Sequence, residues 1–416
     1  MFTSFSTALS ALNADTTAID VVGNNLANLN TAGFKASDVS FHDLVTQSLG
    51  AGLGETQVGF GVGTPITLRQ FSQGAIQSTG SPLDAAIQGE GFFVVTNASG
   101  ATQYTRGGNF QVDSNGNLET ATGEKVQGWV QSNGVLNTNA PVGNITVPVG
   151  SLQTPQATTS ASVDLNLDAS GTAGPPASTF STSMQVYDSL GVSHIVTMGF
   201  TKTSTANQWA YTMSFPDADL ASPPGTPVTG TLTFDSSGHL TSPATTDTPP
   251  ILAATGLLDG ASDMNVTWDM FNGSTPRITQ FSQPSATSAL EQNGSPAANL
   301  VSVGLADGGK ILAQYSNGTQ VVVGQMAMAT IRNPSSLISV GNSNYQLSAN
   351  TATPAIGLPG TGGRGTVLGG SIEASTVDIA KEFTNLIVFQ RGYEANARVV
   401  TTVDQLSQDT IALKPS

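Results

Sequence analysis

The sequence predicts an α+β fold that is mostly β: a long α-helix at each end, and between them two all-β domains, one inserted in the other. Three observations predict it. Apolar residues near both termini recur with a helical period. The long middle replaces that period with short alternating stretches and hairpin dipeptides. Within the middle lies a block of distinct composition and charge.

At the start, Phe5, Leu9, Leu12, Thr16, Ile19, Gly23 and Leu26 advance in alternating steps of four and three. That is a heptad seam with Thr16 and Gly23 as its imperfections. At the end, Ile372, Ile379, Leu386, Tyr393 and Val400 recur every seven residues, with Phe383, Phe389 and Val403 beside them. No Pro and a single Gly, Gly392, fall between Ser371 and Lys414. Neither stripe is wide enough for a core helix. Such helices pair with each other or with copies from neighbouring chains, and a helical hairpin on an ordinary core fits the periodicity equally well. The helical part is therefore placed at 1–30 and 371–416, followed by a connecting segment of extended and loop structure at 31–70.

Asn115-Gly116, Asn133-Gly134, Asn293-Gly294 and Asn317-Gly318 are hairpin dipeptides flanked by alternating residues. Residues 91–95, 193–200 and 320–326 are rich in types that suit a pleated sheet. Ser/Thr/Ala/Pro-rich stretches at 152–162 and 281–289 bracket a block with ten Asp, no Glu, Lys202, Arg277 and two of the three Trp. This gives a discontinuous β domain at 71–154 and 284–370 and an acidic, inserted β domain at 155–283, with Pro-Pro runs at 175, 223 and 249 in its loops.

Composition narrows function mainly by exclusion. Only 10% of the 416 residues are charged, against roughly 25% in an ordinary domain. The net charge of −15 leaves no basic stripe for phosphates, so no nucleic acid is expected. With no Cys, disulfides, thiolate metal sites and Cys nucleophiles are out. The N-terminus has no basic residue ahead of its apolar ones, unlike a cleaved secretory signal. No run approaches the ~18 apolar residues of a membrane span, so no membrane insertion is expected.

Candidate chemistry is equally sparse. His42, His194 and His239 each lack a carboxylate or second His at ligand spacing in the sequence, so isolated imidazoles are expected and no metal. No Ser sits in a G-x-S-x-G elbow. Gly59-Phe60-Gly61-Val62-Gly63 precedes Thr64-Pro65 instead of opening a helix, and is expected to be a flexible loop. Asp113-Ser114-Asn115-Gly116-Asn117 has its Gly two places too early for a calcium loop and is expected to be a tight turn. No catalytic residue and no cofactor is expected. A carbohydrate-acting enzyme on the acidic domain would need two close carboxylates in a cleft, and a secreted surface adhesin fits the composition without explaining the paired heptads.

The segment NNLANLNTAGFK (24–35) resembles the signature of the flagellar rod and hook axial family, carried by Asn24, Asn25, Leu26, Ala27, Asn28, Asn30, Thr31, Gly33, Phe34 and Lys35. SPLDAAIQGEGFFVV (81–95), YTRGGNF (104–110) with its following Asn-Gly turn, and the closing run at 371–406 are similar to the same family. Rod members are short; STSMQVYDSLGVSHIVTMGFTK (181–202) and residues 315–346 resemble the hook members, which carry an inserted β domain. Leu29 and Ala32 stand where the family varies, and Gly392 where Ala is frequent; Gly would cost that helix about 1 kcal/mol.

The resemblance implies a subunit that polymerises helically with itself into a short, curved, flexible hollow tube joining rod to filament, and that is not an enzyme. The terminal helices would form a coiled-coil-like inner layer and the β domains the outer layers. Phe5, Leu9, Leu12, Ile19, Leu26, Ile372, Ile379, Phe383, Leu386, Tyr393 and Val400 are then the expected polymerisation contacts. It further implies export through the flagellar channel by the flagellar type III apparatus without a cleaved signal peptide, to an extracellular hook. Implied partners are the distal rod protein, hook cap, hook–filament junction proteins and hook-length ruler. A distal rod protein is the alternative, disfavoured by the insert.

Overall fold

The computed structural model describes residues 2–44, 47–48, 57–132, 135–222 and 225–412. The Asn133-Gly134 turn, the Pro223-Pro224 run and Lys414 lie outside them. Helix α1 spans Phe2–Ala27 and α2 spans Ile379–Ala412, the two packing together. Among the described residues, all else that is regular, apart from three short 3-10 turns, is strand.

The start of α2 differs from the heptad reading. Residues 371–378 are not helical: Ser371–Glu373 is a strand paired antiparallel with Ile76–Ser78, so Ile372 belongs to a sheet. Asp378 sets the boundary. Its Oδ1 accepts the amides of Ala380 at 2.8 Å and Lys381 at 3.2 Å, a side-chain N-cap that satisfies two amides without helical partners. The seven-residue spacing from Ile372 to Ile379 thus crosses from strand to helix. Gly392 leaves α2 unbroken.

The connecting segment is partly paired. Ser37–Ser40 lies antiparallel to Ile66–Arg69, and Gln47–Ser48 to Gln57–Val58. Within 59–63, expected to be a flexible loop, Gly59 and Phe60 are exposed while Gly61–Gly63 packs against neighbouring segments of the chain. Gly61 has a φ of 99° and lies so close to α1 that a Cβ would meet Ser10 Oγ at 2.3 Å, while the Val62 amide donates to that hydroxyl at 3.2 Å.

The chain divides into two compact units, the first at 1–149, 302–314 and 320–416 and the second at 150–301 and 315–319. In the first, antiparallel strands Phe92–Thr96, Thr102–Thr105, Lys125–Ser132 and Gln320–Met326 build the sheet. Phe92, Val94, Tyr104, Trp129 and Tyr345 fill a core on it, with Phe71 set edge-on to Phe92 and Tyr345. At 113–117 the Asp113 carboxylate accepts the amides of Asn115 and Asn117 and the Asn117 side chain, and Gly116 takes a φ of 82°. These bonds account for the Asp-Ser-Asn-Gly-Asn pattern as a turn.

The second unit is wider than the 155–283 read from composition. Ala286–Gln292, in the Thr/Ser-rich stretch taken for a boundary, is a strand paired antiparallel with Ser160–Asn166. Its residues alternate between half-buried and exposed, so small polar side chains suit an outer strand as well as a linker. Two sheets share one core. Thr179–Tyr187, Ser193–Lys202, Gln208–Ser214, Val228–Phe234 and Leu240–Ser242 form an antiparallel meander. Ser160–Asn166 lies in the other, beside Met264–Asp269. Along 193–202 buried and outward residues alternate at the strand period, burying His194, Val196, Met198, Phe200 and Lys202. Trp268 spans the sheets, 5.2 Å from Tyr211 and 6.3 Å from Phe200 between ring centroids.

Candidate assembly helices and the junction that mounts them

The two helices pack together, and the side chains that α1 buries are mostly small. Ala8, Ala14, Ala18 and Val22 are buried on α1, Ala18 completely. Short side chains let helix axes approach closely. At Gly392 a Cβ would stand 3.2 Å from an Asp15 carboxylate oxygen, and that carboxylate accepts the Asn396 side-chain amide at 3.0 Å. The glycine leaves room for a polar tie between the helices.

The predicted heptad residues fall elsewhere. On α1, Phe5 and Leu9 are exposed, while Leu12, Ile19 and Leu26 are half-buried. On α2, Leu386 and Val400 are half-buried, as is Phe389, whose ring lies 5.8 Å from that of Phe41. Ile379, Phe383 and Tyr393 face outward, joined by Ile387, Val388, Val399 and Leu406. Phe383 is 52% exposed and Ile387 58%. Each such side chain would contribute about 1.5–3 kcal/mol on full burial, so this apolar face is incomplete within one chain. Ile372 stands apart from it, in its strand.

The signature 24–35 is the turn from α1 into the first unit. Asn28 bonds back to Asn24, and the Thr31 hydroxyl donates to Asn28 Oδ1. Asn25 is buried: its Nδ2 donates to the Ser37 carbonyl at 2.8 Å and to Glu382 Oε1 of α2 at 3.2 Å, and its Oδ1 accepts the Ser37 amide at 3.0 Å. Gly33 has a φ of 68°, and a Cβ there would sit 2.4 Å from the Arg106 carbonyl carbon. Only glycine combines that backbone with that approach. The Gly33 amide donates to the Glu373 carbonyl, and the Thr376 amide to that of Phe34. Leu26 is half-buried; Ala27 and Asn30 are exposed.

Lys35 ends the signature in a buried ionic network. Its Nζ lies 2.6 Å from both Glu373 Oε1 and the Ser72 carbonyl, and Arg106 Nη1 lies 3.1 Å from Glu373 Oε2. Glu373 Oε1 also accepts the Gly74 amide, and Arg106 Nη2 donates to the Gly89 carbonyl. Lys35 and Glu373 are fully buried. Burial pushes the Lys35 ammonium down, against the pull of Glu373. Burial likewise pushes the Glu382 carboxyl up, against the Asn25 bond.

Glu373, Arg106 and Glu382 were not singled out from the sequence, although all three lie within its motif segments. The available signal was their charge, rare in a chain with only 10% charged residues. The histidine reading also needs correction. His194 is ringed by Asp188, Asp219 and Asp259, brought from three loops, which sequence spacing conceals.

No described helix is long and apolar enough to cross a membrane. The flagella basal body rod protein model matches residues 5–35, and the flagellar hook protein FlgE/F/G D1 domain model residues 86–172. The flagellar basal body protein FlaE D2 domain model matches 166–295, and the flagellar basal body rod FlgEFG protein C-terminal model 368–413. The flagellar hook protein FlgE of Treponema pallidum is 33% identical over all of both chains. That of Escherichia coli is 32% identical over 99% of this chain and all of its own. The crystal structure of Helicobacter pylori flagellar hook protein FlgE2 matches with a TM-score of 0.53, covering 70% of this chain and 99% of that one, at 13% identity, a likeness of fold. The chain therefore belongs to the flagellar hook protein FlgE family, a family of structural proteins, and is a subunit of the bacterial flagellar hook, where it polymerises with itself.

Proposed function

We propose that the outward apolar faces of α1 and α2 are the contacts that build the hook's inner layer, and that the junction around Lys35 and Glu373 carries load from those helices into the first β unit. The exposed row Ile379, Phe383, Ile387 and Tyr393, on a helix whose contact with α1 is already made, carries the reading. A helical tube is an open assembly of heterologous contacts, so each copy buries this face against a different face of its neighbours. Phe5 and Leu9 extend the surface along α1. The bent, rotating tube acts as a universal joint between rod and filament. Low charge density suits contacts that change during rotation, because few ion pairs break when subunits slide.

The same reading assigns export through the flagellar channel without a cleaved signal, and contacts with the distal rod protein, hook cap, hook–filament junction proteins, length ruler and export apparatus. It assigns a structural role without catalysis. The acidic residues of the second unit are mostly tied into turns, as Asp168, Asp188 and Asp235 are, which supports that assignment over a glycosidase cleft.

Phe383→Asp tests the reading. The side chain is already exposed, so the monomer should keep its circular dichroism and thermal midpoint. A carboxylate that must be desolvated between subunits should abolish polymerisation. Normal curved tubes from this variant would refute the assembly face. Straight tubes from the unaltered chain would favour a distal rod protein instead.

A further inference from the structure

His194 lies 4% exposed in the second unit with a carboxylate at each ring nitrogen. Nδ1 is 2.9 Å from Asp219 Oδ2, and Nε2 is 3.0 Å from Asp188 Oδ2 and 3.6 Å from Asp259 Oδ2. A neutral imidazole has one N–H, so it can donate to only one of its two hydrogen-bonding carboxylates; the imidazolium donates to both. Among the described residues, His194 is the sole cationic partner within ion-pair distance of these three aspartates. The Phe215 ring stands edge-on at 6.4 Å. Nearby Asp217 and Asp263 are engaged with the Gly225 and Gly256 amides.

The carboxylates come from three loops. Asp188 shapes the 188–192 hairpin by accepting the Leu190 and Val192 amides on Oδ1. Asp219 ends a 3-10 turn, and its carbonyl accepts the Leu258 amide. Asp259 lies beyond it, in the loop whose Ser262 amide donates to the Ser189 hydroxyl. The hairpin also braces the two chain passages at the root of this unit. A Cβ on Gly191 would meet Pro155 at 2.8 Å and the Ala297 nitrogen at 3.1 Å, Tyr187 and Thr158 exchange bonds, and Gln156 pairs with Ser295.

We propose that His194 is a proton-operated latch at the root of the inserted unit: as imidazolium it ties the 188–192, 217–219 and 257–259 loops together, and on losing its proton it releases them and loosens the root. Burial alone would push the imidazolium down, but the Asp188 and Asp219 bonds outweigh it and hold the group above its ordinary value of 6.5. A histidine raised in the folded state contributes stability that is fully present below about 6.5 and is lost as pH rises through the folded value. The latch is therefore closed in mildly acidic medium and opens toward alkaline pH. In the hook, where this consequence rests on the assembly reading, the opened root would alter how stiffly the second unit's two chain passages are braced.

Hydrogen–deuterium exchange of the full-length monomer, wild type against His194→Gln, tests the latch without depending on assembly. At about pH 5.5 the variant should exchange severalfold faster than wild type in peptides covering 187–194, 217–221 and 256–262, because the stabilisation by the imidazolium is then fully present. At about pH 9 the difference should vanish. A difference independent of pH, or none at acidic pH, would overturn the proposal. Zinc restoring protection at alkaline pH, with EDTA removing it, would also overturn it, by giving the centre to a metal ion. Should His194→Gln fail to fold, histidine-labelled wild-type chain has only three imidazoles to resolve by NMR. Titration of His194 at or below about 6.5 would contradict the latch.

Discussion

The second unit and the terminal helices solve the same problem in opposite ways. The second unit closes two sheets over a core of its own, from Val163 and Leu165 through Phe200 and Trp209 to Trp268 and Ile278. The helices pack together, burying alanines on α1, and leave Phe383, Ile387, Val388 and Leu406 in solvent. One region is finished by its own fold; the other, in the assembly proposed above, is finished by neighbouring copies. Stability and assembly should therefore respond to different residues, and mutations that confuse the two would break the contrast.

The largest effect should come from removing the finished region. Gln156 and Ser295 exchange both backbone bonds, each at 2.9 Å, so a short Gly/Ser linker joining these positions spans almost no distance. Polymerisation should survive in that deletion, while electron microscopy shows tubes that are straight or lack a defined curvature. Failure to polymerise would place essential contacts on the second unit, and unchanged curvature would assign bending to the helices and first unit.

Glu373→Ala comes next. It strips Lys35 and Arg106 of a shared buried partner, and breaking a buried pair costs about 3–5 kcal/mol. The urea midpoint of the first unit should fall accordingly, with the second unit's transition unmoved. A shift confined to the second unit would contradict the junction. Asn25→Ala should cost less, about 1–3 kcal/mol, by leaving the Ser37 amide and carbonyl without their partner. Glu382, held up by burial, should add a pH dependence to the same unit. Its raised carboxyl favours the fold most below the ordinary value of 4.5, and that contribution declines as pH rises through the raised value.

Gly392→Ala should show the smallest change. Helix propensity favours Ala by about 1 kcal/mol, while the new methyl crowds the Asp15 carboxylate at 3.2 Å. Near-cancellation in the thermal midpoint is expected. A loss of several degrees would show that the Asp15–Asn396 tie is more rigid than its exposed neighbours.

What was legible in the sequence follows the range of each signal. Both helices announced themselves by period, and Gly116 and Gly318 by hairpin dipeptides, because those patterns are local. The signature at 24–35 marked the junction, but Lys35 reaches Glu373 across 338 residues, and no spacing encodes such a pairing. The His194 ring was hidden for the same reason. Ile372 misled because a strand residue and the next helix happen to share a heptad interval. Ala14 and Ala18, buried on α1, are invisible to a search for bulky apolar residues. Composition also placed the strand at 286–292 outside the inserted domain, since small polar residues suit a boundary as well as an outer strand.

The central claim is that α1 and α2 are completed by neighbours, and exchange of backbone amides in dilute monomer and in assembled tubes tests it most directly. Helices that bury little are marginal in water. Amides of 5–23 and 383–410 should therefore exchange fast in the monomer and become strongly protected in tubes, while those of 160–166 and 193–202 are protected equally in both. Terminal helices already as protected in the dilute monomer as the second unit's strands would contradict it.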